Sequence, residues 1–229
     1  MEFKFPHTPH LEWLGPGRPR ADKVLTLSEV RSFLSSPVVV EEKVDGANIG
    51  ISFDGGETPV VKNRGTVLGP GSHPQFETLW PWLAKHKNSL CQALGPDLML
   101  FGEWCFAVHS VRYHDLPDYF IGFDVYDVPK KKFWSADRRD EWAAPLEIVT
   151  APIVARGKFS LTDLERLLLS LRSRFGGEAA EGIYVRRDES EWLTGRAKLV
   201  RPEFLQAIEE HWTSHTLRKN MLARAKATV

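Results

Sequence analysis

The segment Glu41–Asn48, with the sequence EEKVDGAN, constrains this chain more than any other. The β-branched run before it, Pro37–Val40, predicts a buried strand, and Ile49–Phe53 predicts a second strand directly after it. Lys43 and Asp45 are two residues apart, so on an extended backbone their side chains point to the same face. The sequence therefore predicts a lysine and a carboxylate side by side at the end of a strand.

This lysine has the surroundings that nucleophilic lysines require. A lysine becomes nucleophilic when desolvation or a nearby cation lowers its pKa. Gly46, which follows Asp45, lets the backbone turn or lets a ligand approach closely. A surface hairpin with scattered charges is the alternative interpretation, because four loosely defined positions recur by chance. The rest of the chain decides between the two.

Length and composition limit the class of protein. The 229 residues suffice for one sizeable domain, and the formal net charge of zero argues against a strongly basic, non-specific nucleic-acid binder, although it permits a local basic groove. Cys91 and Cys105 match no metal-ligand spacing and are interpreted as reduced thiols of a cytoplasmic protein. Residues 1–9 lack the apolar core of a signal peptide, and no apolar run approaches the ~18 residues of a membrane span.

Apolar periodicity and turn signals predict alternating strands and helices. Helices are predicted over 26–34 and 73–94, from Ser160 onward, and from Pro202 onward. Further strands are predicted over 60–62, 98–105, 119–128, 182–186 and 195–200. Ser160 with Asp163 gives the third helix a capping-box start.

These elements predict an α+β fold with largely antiparallel sheets flanked by helices. We expect a single domain over 1–229, in which 202–229 is a C-terminal helical extension. Residues 1–20 are interpreted as an irregular but ordered arm. The basic run Lys130–Lys132, together with Arg138 and Arg139, is interpreted as a solvated face.

Charged side chains fall at the predicted strand ends or in the turns that follow them. The carboxylates are Asp45, Glu103 and Glu181, and the cations besides Lys43 are Arg64, Arg196 and Lys198. Such carboxylates suit Mg²⁺, which binds through them and through substrate phosphates while it keeps several waters. The cations suit a polyphosphate, and a metal ion beside Lys43 disfavours its charged form. Phe123 offers a face to a base, where stacking contributes roughly 1–3 kcal/mol. Together these are the parts of nucleotidyl transfer to lysine.

Six short motifs stand in an order that resembles the covalent nucleotidyltransferase superfamily, whose members are ATP-dependent ligases and mRNA-capping enzymes. They are EKVDGAN at 42–48, NRG at 63–65, FGEW at 101–104, FIGFDVYD at 120–127, EGIYVR at 181–186 and AKLVR at 197–201. The pair Ala47-Asn48 favours RNA ligases over DNA ligases. The arm FPHTPHL at 5–11 and the loop HSVRY at 109–113 are similar to those of one bacterial-type subgroup of RNA ligases.

The resemblance implies a nucleotidyltransferase domain that binds its nucleotide in a cleft between the sheets. It implies that Lys43 attacks the α-phosphate of ATP and forms lysyl-AMP. It also implies that Asp45, Glu103 and Glu181 hold Mg²⁺ or Mn²⁺, through water. Lys198 would contact the α-phosphate and stabilise the charge that develops there.

The resemblance also implies a set of nucleotide-binding residues. Glu42 would help to seat the adenosine, and Phe123 would stack on adenine. Asn48 would contact phosphate or metal-bound water, and Arg64 would contact the ribose or a phosphate. Arg196 stands where many RNA ligases carry lysine, and arginine can still bind phosphate.

Two further departures bear on function. Glu41 stands where DNA ligases place a base-reading glutamate, so either Glu41 or Glu42 is expected to meet the adenosine. The residues after the last motif are too few for the C-terminal OB-fold of DNA ligases and capping enzymes. RNA contacts are therefore expected from the catalytic domain, Arg112 and the C-terminal cations. On this basis, removal of 218–229 should impair sealing but leave adenylylation of Lys43 largely intact.

The predicted activity is that of an ATP-dependent RNA ligase. It would join RNA ends that carry a 5′-phosphate and a 3′-hydroxyl, through lysyl-AMP and RNA-adenylate intermediates, in RNA repair. We expect a cytoplasmic monomer without a membrane partner. The alternatives are a DNA ligase or capping-type transferase, a catalytically inactive nucleotide-binding module, and an enzyme that transfers AMP to a protein or small molecule.

Overall fold

The structure is a computed structural model that describes residues 3–16, 23–176, 179–207 and 217–224. In this part of the chain two antiparallel sheets are surrounded by five α-helices. None of the helices in the described ranges is long and apolar enough to cross a membrane.

The first sheet has the strand order β10-β9-β1-β8, and the second has the order β4-β3-β2-β5-β6-β7. The strands of the first sheet are β1 (Val38–Lys43), β8 (Ile153–Gly157), β9 (Gly182–Glu189) and β10 (Trp192–Val200). Those of the second are β2 (Ala47–Phe53), β3 (Pro59–Asn63), β4 (Thr66–Val67), β5 (Leu98–Trp104), β6 (Phe120–Asp127) and β7 (Lys132–Phe133). Every strand pair is antiparallel, which confirms the predicted fold class.

The five α-helices in the described ranges are α1 (Leu27–Phe33), α2 (Leu79–Leu94), α3 (Ala136–Ala143), α4 (Leu161–Ser170) and α5 (Pro202–Ala207). Three of them, α1, α3 and α4, begin at a side-chain cap. A capping box joins Thr26 to Glu29 at α1, and the predicted capping box of Ser160 and Asp163 is present at α4.

Two predicted helices differ from the structure. The helix predicted from residue 73 is a 3₁₀ turn over Pro74–Phe76, capped by the His73 side chain, followed by α2 from Leu79. The C-terminal extension is helical over α5, but 217–224 is not helical, because its backbone hydrogen bonds go to residues 106–116. Residues 208–216 and 225–229 lie outside the described ranges.

The interpretation of the basic run as a solvated face is wrong for Arg139. Lys130–Lys132 are exposed, but the Arg139 side chain is fully buried and paired with Glu41. The sequence prediction also missed α3 and β8. Ser135, whose side chain caps α3 by accepting a hydrogen bond from the Arg138 amide, is the signal that would have revealed this helix.

The apolar core lies on both sides of the second sheet and behind the first. Leu164 and Leu168 of α4 pack with Val30 of α1 against one face of the first sheet. The other face of this sheet carries charged side chains toward the second sheet, where Arg186 of β9 pairs with Asp124 of β6. The two sheets therefore enclose a polar cleft.

Candidate active site

Strand alternation distributes the two glutamates of β1 to opposite sides of the first sheet. The side chain of Glu41 faces the cleft, where it pairs with Arg139 and Arg186. The Glu42 carboxylate instead accepts a hydrogen bond from the Arg174 amide at 2.9 Å. Burial raises the pKa of Glu42 although the Arg174 amide and Ser173 oppose that change. Glu42 thus lies on the side of the strand away from Lys43.

Neighbouring strands add cations and an aromatic ring to the cleft face. Tyr184 of β9 stands opposite Glu41 on one side and opposite Lys198 on the other. Arg196 stands opposite Arg186 two residues along β10. Cross-strand partners share a face of the sheet, so these side chains all project toward the second sheet.

Lys43 at the end of β1 forms an ion pair with Glu181, which directly precedes β9. The side chains are 16% and 6% exposed, and the Lys43 ammonium lies 6.0 Å from the centre of the Tyr184 ring. Burial alone would lower the pKa of Lys43, but Glu181, Tyr184 and Asp45 together raise it above its ordinary value. Lys43 is therefore held as an ammonium in this state.

Glu181 has the opposite balance. Burial raises its pKa to about 7 although Lys43 favours the carboxylate. The Lys198 ammonium is a further cation that lowers this pKa. The carboxyl next to Lys43 consequently changes its charge near neutral pH.

A loop from the second sheet holds Asp45. The Asp45 carboxylate accepts hydrogen bonds from the amide of Ser110 at 2.5 Å and from the amide of Val111 at 2.8 Å. The Asp45 backbone amide donates a hydrogen bond to the Tyr113 hydroxyl at 2.8 Å. Gly46 is required here, since a Cβ at that position would lie 2.8 Å from the Trp104 carbonyl oxygen. The backbone after Lys43 is thus fixed from two directions.

Glu103 of β5 is the third carboxylate of the site, and it stands opposite Asn48 of β2. Burial raises its pKa well above the ordinary value; Lys43 opposes the change, and Asp45 and Glu181 add to it. Its Oε2 is buried and has no hydrogen-bond partner among the described residues. This oxygen is suited to receive a cation or an ordered water.

The three carboxylates act on one another electrostatically but do not form a direct chelate. Within the described ranges, no three His, Cys, Asp or Glu side chains are close enough to hold a metal ion by themselves. The unpartnered oxygen of Glu103, near Asp45 and Glu181, fits a hydrated divalent cation of the kind that binds through water.

A small pocket next to this centre is lined by both sheets and the N-terminal arm. Phe123 and Tyr184 line it from the two sheets, and Phe5 lies edge-on to Phe123 with ring centres 5.2 Å apart. The Arg196 guanidinium lies 4.8 Å from the centre of the Phe5 ring. The cavity measures only about 10 Å³, so a purine enters only when a wall moves.

A buried ion-pair network forms the back of this pocket, and sequence analysis missed it. Asp124 accepts from both Arg186 and Arg196, while Arg139 pairs with Glu41 at 2.7 Å and donates to the Phe123 carbonyl at 2.6 Å. Burial alone would raise the pKa of Asp124, but Arg196 and Arg186 hold it below its ordinary value. Asp124 and Arg186 lie inside the recognised motifs, and only tertiary contact reveals their role.

The remaining predicted residues are Arg64 and Asn48, at the rim, and Lys198, on the cleft face of β10. Arg64 is exposed, adopts a left-handed backbone with φ 46°, and contributes to the electrostatic field at Glu103. Asn63 donates to the Asn48 carbonyl at 2.8 Å, which ties this turn to β2. Lys198 pairs through its backbone with Pro9 and Leu11 of the arm, each at 2.9 Å.

The fold is shared with polynucleotide ligases. Naegleria gruberi RNA ligase with PPi superimposes with a TM-score of 0.63 and 18% identity, over 91% of this chain and 59% of that one. A variant of that ligase with ATP and Mn gives 0.60 and 17%, over 79% and 54%. An Aquifex aeolicus protein named as an ATP-dependent DNA ligase gives 0.56 and 20%, over 88% and 50%. The chain thus spans between half and two thirds of the length of these proteins.

The family of this chain follows from its sequence. The pattern of the RNA ligase family matches residues 36–200, which include every motif residue from Lys43 to Lys198. This chain belongs to the RNA ligase family, within the covalent nucleotidyltransferase superfamily. No curated protein matches it in a sequence search.

Proposed function

We propose that this protein is an ATP-dependent RNA ligase that joins 5′-phosphate and 3′-hydroxyl RNA ends. The observation that carries the proposal is the position of Lys43, on the cleft face of β1, paired with Glu181 and surrounded by Asp45, Glu103 and the cations of β10. Family membership and the ATP-bound and PPi-bound relatives of the same fold support this chemistry.

In the first step the Lys43 amine attacks the α-phosphorus of ATP. A nitrogen–phosphorus bond forms, the bond to the bridging oxygen of the β-phosphate breaks, and pyrophosphate leaves. Lys43 must first lose a proton, and the Glu181 carboxylate that already accepts its hydrogen bond is in place to take it. Lys198 and Arg196 would stabilise the charge that develops on the phosphate.

Two further transfers complete sealing. A 5′-phosphate oxygen of RNA attacks the AMP phosphorus, which releases the Lys43 amine and gives RNA-adenylate. The 3′-hydroxyl then attacks the 5′-phosphorus, which forms the phosphodiester and releases AMP. The AMP phosphate is the reacting group in the first two transfers and the leaving group in the third, so the same cations would stabilise its negative charge in all three.

A divalent cation, Mg²⁺ or Mn²⁺, fits the carboxylates that flank Lys43. Asp45, Glu103 and Glu181 would hold it through water, and the unpartnered Oε2 of Glu103 is the atom that most needs such a partner. When bound, the cation supplies positive charge that neutralises phosphate and favours the neutral form of the amine.

For the adenosine, we propose Glu41 rather than Glu42 as the contact. Glu41 borders the pocket of Phe123 and Tyr184, whereas Glu42 faces Arg174 on the other side of the strand. Phe123 would stack on the base once Phe5 moves out of contact with it. Asn48 and Arg64, at the rim, would contact phosphate, ribose or metal-bound water.

The proposal includes RNA repair as the setting and a monomeric, cytoplasmic enzyme. Two free cysteines support the cytoplasmic location, because oxidising compartments favour disulfides. A DNA ligase is the second candidate, favoured by the fold likeness to the Aquifex aeolicus protein.

A sealing assay with matched nicked duplexes tests the proposal. One duplex carries an RNA nick and the other a DNA nick of the same sequence, with a 5′-phosphate and a 3′-hydroxyl in each. We expect ATP-dependent sealing of the RNA nick, with Lys43→Ala as the inactive control. Equal or better sealing of the DNA nick would favour the second candidate, and sealing of neither would contradict a ligase.

A further inference from the structure

The C-terminal segment 217–224 returns to the active site through backbone pairing. It runs alongside the residues that lead from β5 into the loop that holds Asp45. The Asn220 amide donates to the Phe106 carbonyl at 2.9 Å, the Val108 amide donates to the Arg218 carbonyl at 2.8 Å, and the Met221 amide donates to the Tyr113 carbonyl at 3.0 Å. This segment therefore packs along residues 105–113, which we call the aspartate loop.

Asn220 fixes both ends of the aspartate loop with one buried side chain. Its Oδ1 accepts from the Tyr113 amide at 2.8 Å, and its Nδ2 donates to the carbonyls of Cys105 at 2.8 Å and Ala107 at 3.2 Å. The residue is 2% exposed. Loss of this amide would leave an amide and two carbonyls of the loop without a partner in a place that water does not reach freely, so the loop would have to rearrange.

The aspartate loop in turn makes three hydrogen bonds to Asp45, from Ser110 and Val111 to the carboxylate and between the Asp45 amide and the Tyr113 hydroxyl. Asp45 is two residues beyond Lys43. A displacement of the loop would thus move Asp45 and the backbone that carries the nucleophile. Displacements of about 1 Å at a reacting centre can cost roughly 10²-fold in rate.

We propose that Asn220 is a positioning residue for adenylylation of Lys43 and acts through Tyr113 and the aspartate loop. The inference rests on the proposed function, and it reverses the expectation that residues 218–229 serve only RNA sealing. Removal of that segment takes Asn220 away and should slow formation of lysyl-AMP itself.

The test compares Asn220→Ala with the unchanged protein in single-turnover labelling by α-labelled ATP and Mg²⁺. At saturating ATP the labelling rate constant should fall roughly 10-fold or more, because the nucleophile is misplaced. The ATP concentration for half-maximal rate should change by less than about threefold, because Asn220 does not line the pocket of Phe123 and Tyr184. Met221→Ala is the matched control, since Met221 is 47% exposed and pairs with the loop through its backbone.

Two comparisons separate positioning from general loss of stability. Leu168→Ala removes a buried side chain behind the first sheet, away from the loop, and should lower the melting temperature without slowing labelling well below that temperature. Tyr113→Phe removes only the hydroxyl contact to Asp45. In the double variant Asn220→Ala/Tyr113→Phe the fold-loss in labelling rate should be smaller than the product of the two single fold-losses, because both substitutions act through the same loop.

The outcomes distinguish this inference from the proposed function. A labelling rate for Asn220→Ala equal to that of the unchanged protein would overturn the inference and leave the function standing. Multiplicative effects with Tyr113→Phe, or an equal slowing in Leu168→Ala at matched stability, would also overturn it. Absence of Lys43-dependent label in the unchanged protein would overturn the proposed function and the inference together.

Discussion

The ammonium of Lys43 pairs with the carboxylate of Glu181 across β1 and the start of β9. Both side chains are largely buried, so each controls the charge of the other. Glu181 raises the pKa of Lys43, while burial raises the pKa of Glu181 to about 7 even though Lys43 opposes that change. Lys43 is thus held in its protonated form, and in the proposed reaction a proton must leave it before the first transfer.

This pair predicts a steep pH dependence of adenylylation. Below pH 7 Glu181 gains a proton and can no longer accept one from Lys43. Above pH 7 the raised pKa of Lys43 still keeps the free amine scarce. The labelling rate should therefore rise through neutral pH and continue to rise at alkaline pH. In Glu181→Gln the rate should be lower throughout and its rise should begin at lower pH, since Lys43 loses the anion that most raises its pKa. A labelling rate independent of pH would contradict this account.

Glu103 should lower the stability of the folded protein at neutral pH and support adenylylation. Burial holds the pKa of the Glu103 carboxyl in the folded protein above its value in the unfolded chain. The folded state is therefore favoured while this carboxyl is protonated, and it loses stability as the pH rises above the carboxyl's ordinary pKa of 4.5. Glu103→Gln should melt higher than the unchanged protein at neutral pH, by roughly 2–4 °C for each 1 kcal/mol gained. The difference should shrink as the pH falls toward 4.5.

The same substitution should slow adenylylation by roughly 10²-fold, a typical loss when one preorganised electrostatic group is removed. Thermal melting and labelling of a single preparation check both effects. A variant that is less stable at neutral pH and fully active would show that Glu103 is a structural partner and not a cation-binding group.

Glu41 and Glu42 should differ in their effect on ATP. Glu42→Gln keeps an oxygen for the Arg174 amide and changes nothing in the cleft, so labelling should stay within about threefold of the unchanged rate. Glu41→Gln removes the charge that pairs with the fully buried Arg139 and should weaken both ATP use and stability. Labelling kinetics with varied ATP check this order. The reverse order would assign the adenosine contact to Glu42.

Phe5 should compete with the base for its pocket. It contacts Phe123 and precedes Pro9, where the arm joins the first sheet, so it is the wall that can move most readily. Phe5→Ala should lower the ATP concentration for half-maximal labelling by a few-fold, because the binding-competent state becomes more populated. Phe3→Ala, which removes a ring stacked on Tyr126 outside the pocket, is the control. A higher ATP requirement in Phe5→Ala would instead make Phe5 a permanent wall of the site.

Sequence patterns predicted the fold class and most strands because these depend on local alternation. The near-continuous apolar run of β6 predicted a strand buried on both faces, and seven of its eight residues are buried. Alternation also separates Glu41 from Glu42, but only the packed core behind β1 determines which of them faces the cleft.

The partners that fix the site come from distant parts of the chain. Arg139 reaches Glu41 from α3, whose start at Ser135 was missed, and its burial overrides the basic run in which it stands. Asn220 meets Tyr113 across 107 residues of sequence. No local period reports such contacts, which is why the C-terminal segment was expected to be helical and dispensable for adenylylation.

The central claim is that Lys43 is the nucleophile that accepts AMP. The most direct measurement is the mass of the intact protein, and of its peptides, after incubation with ATP and Mg²⁺ without RNA. We expect a gain of one AMP on the peptide that contains Lys43, lost in acid and absent in Lys43→Ala. An AMP adduct on another residue, or an unchanged mass in a folded protein that binds ATP, would contradict the account.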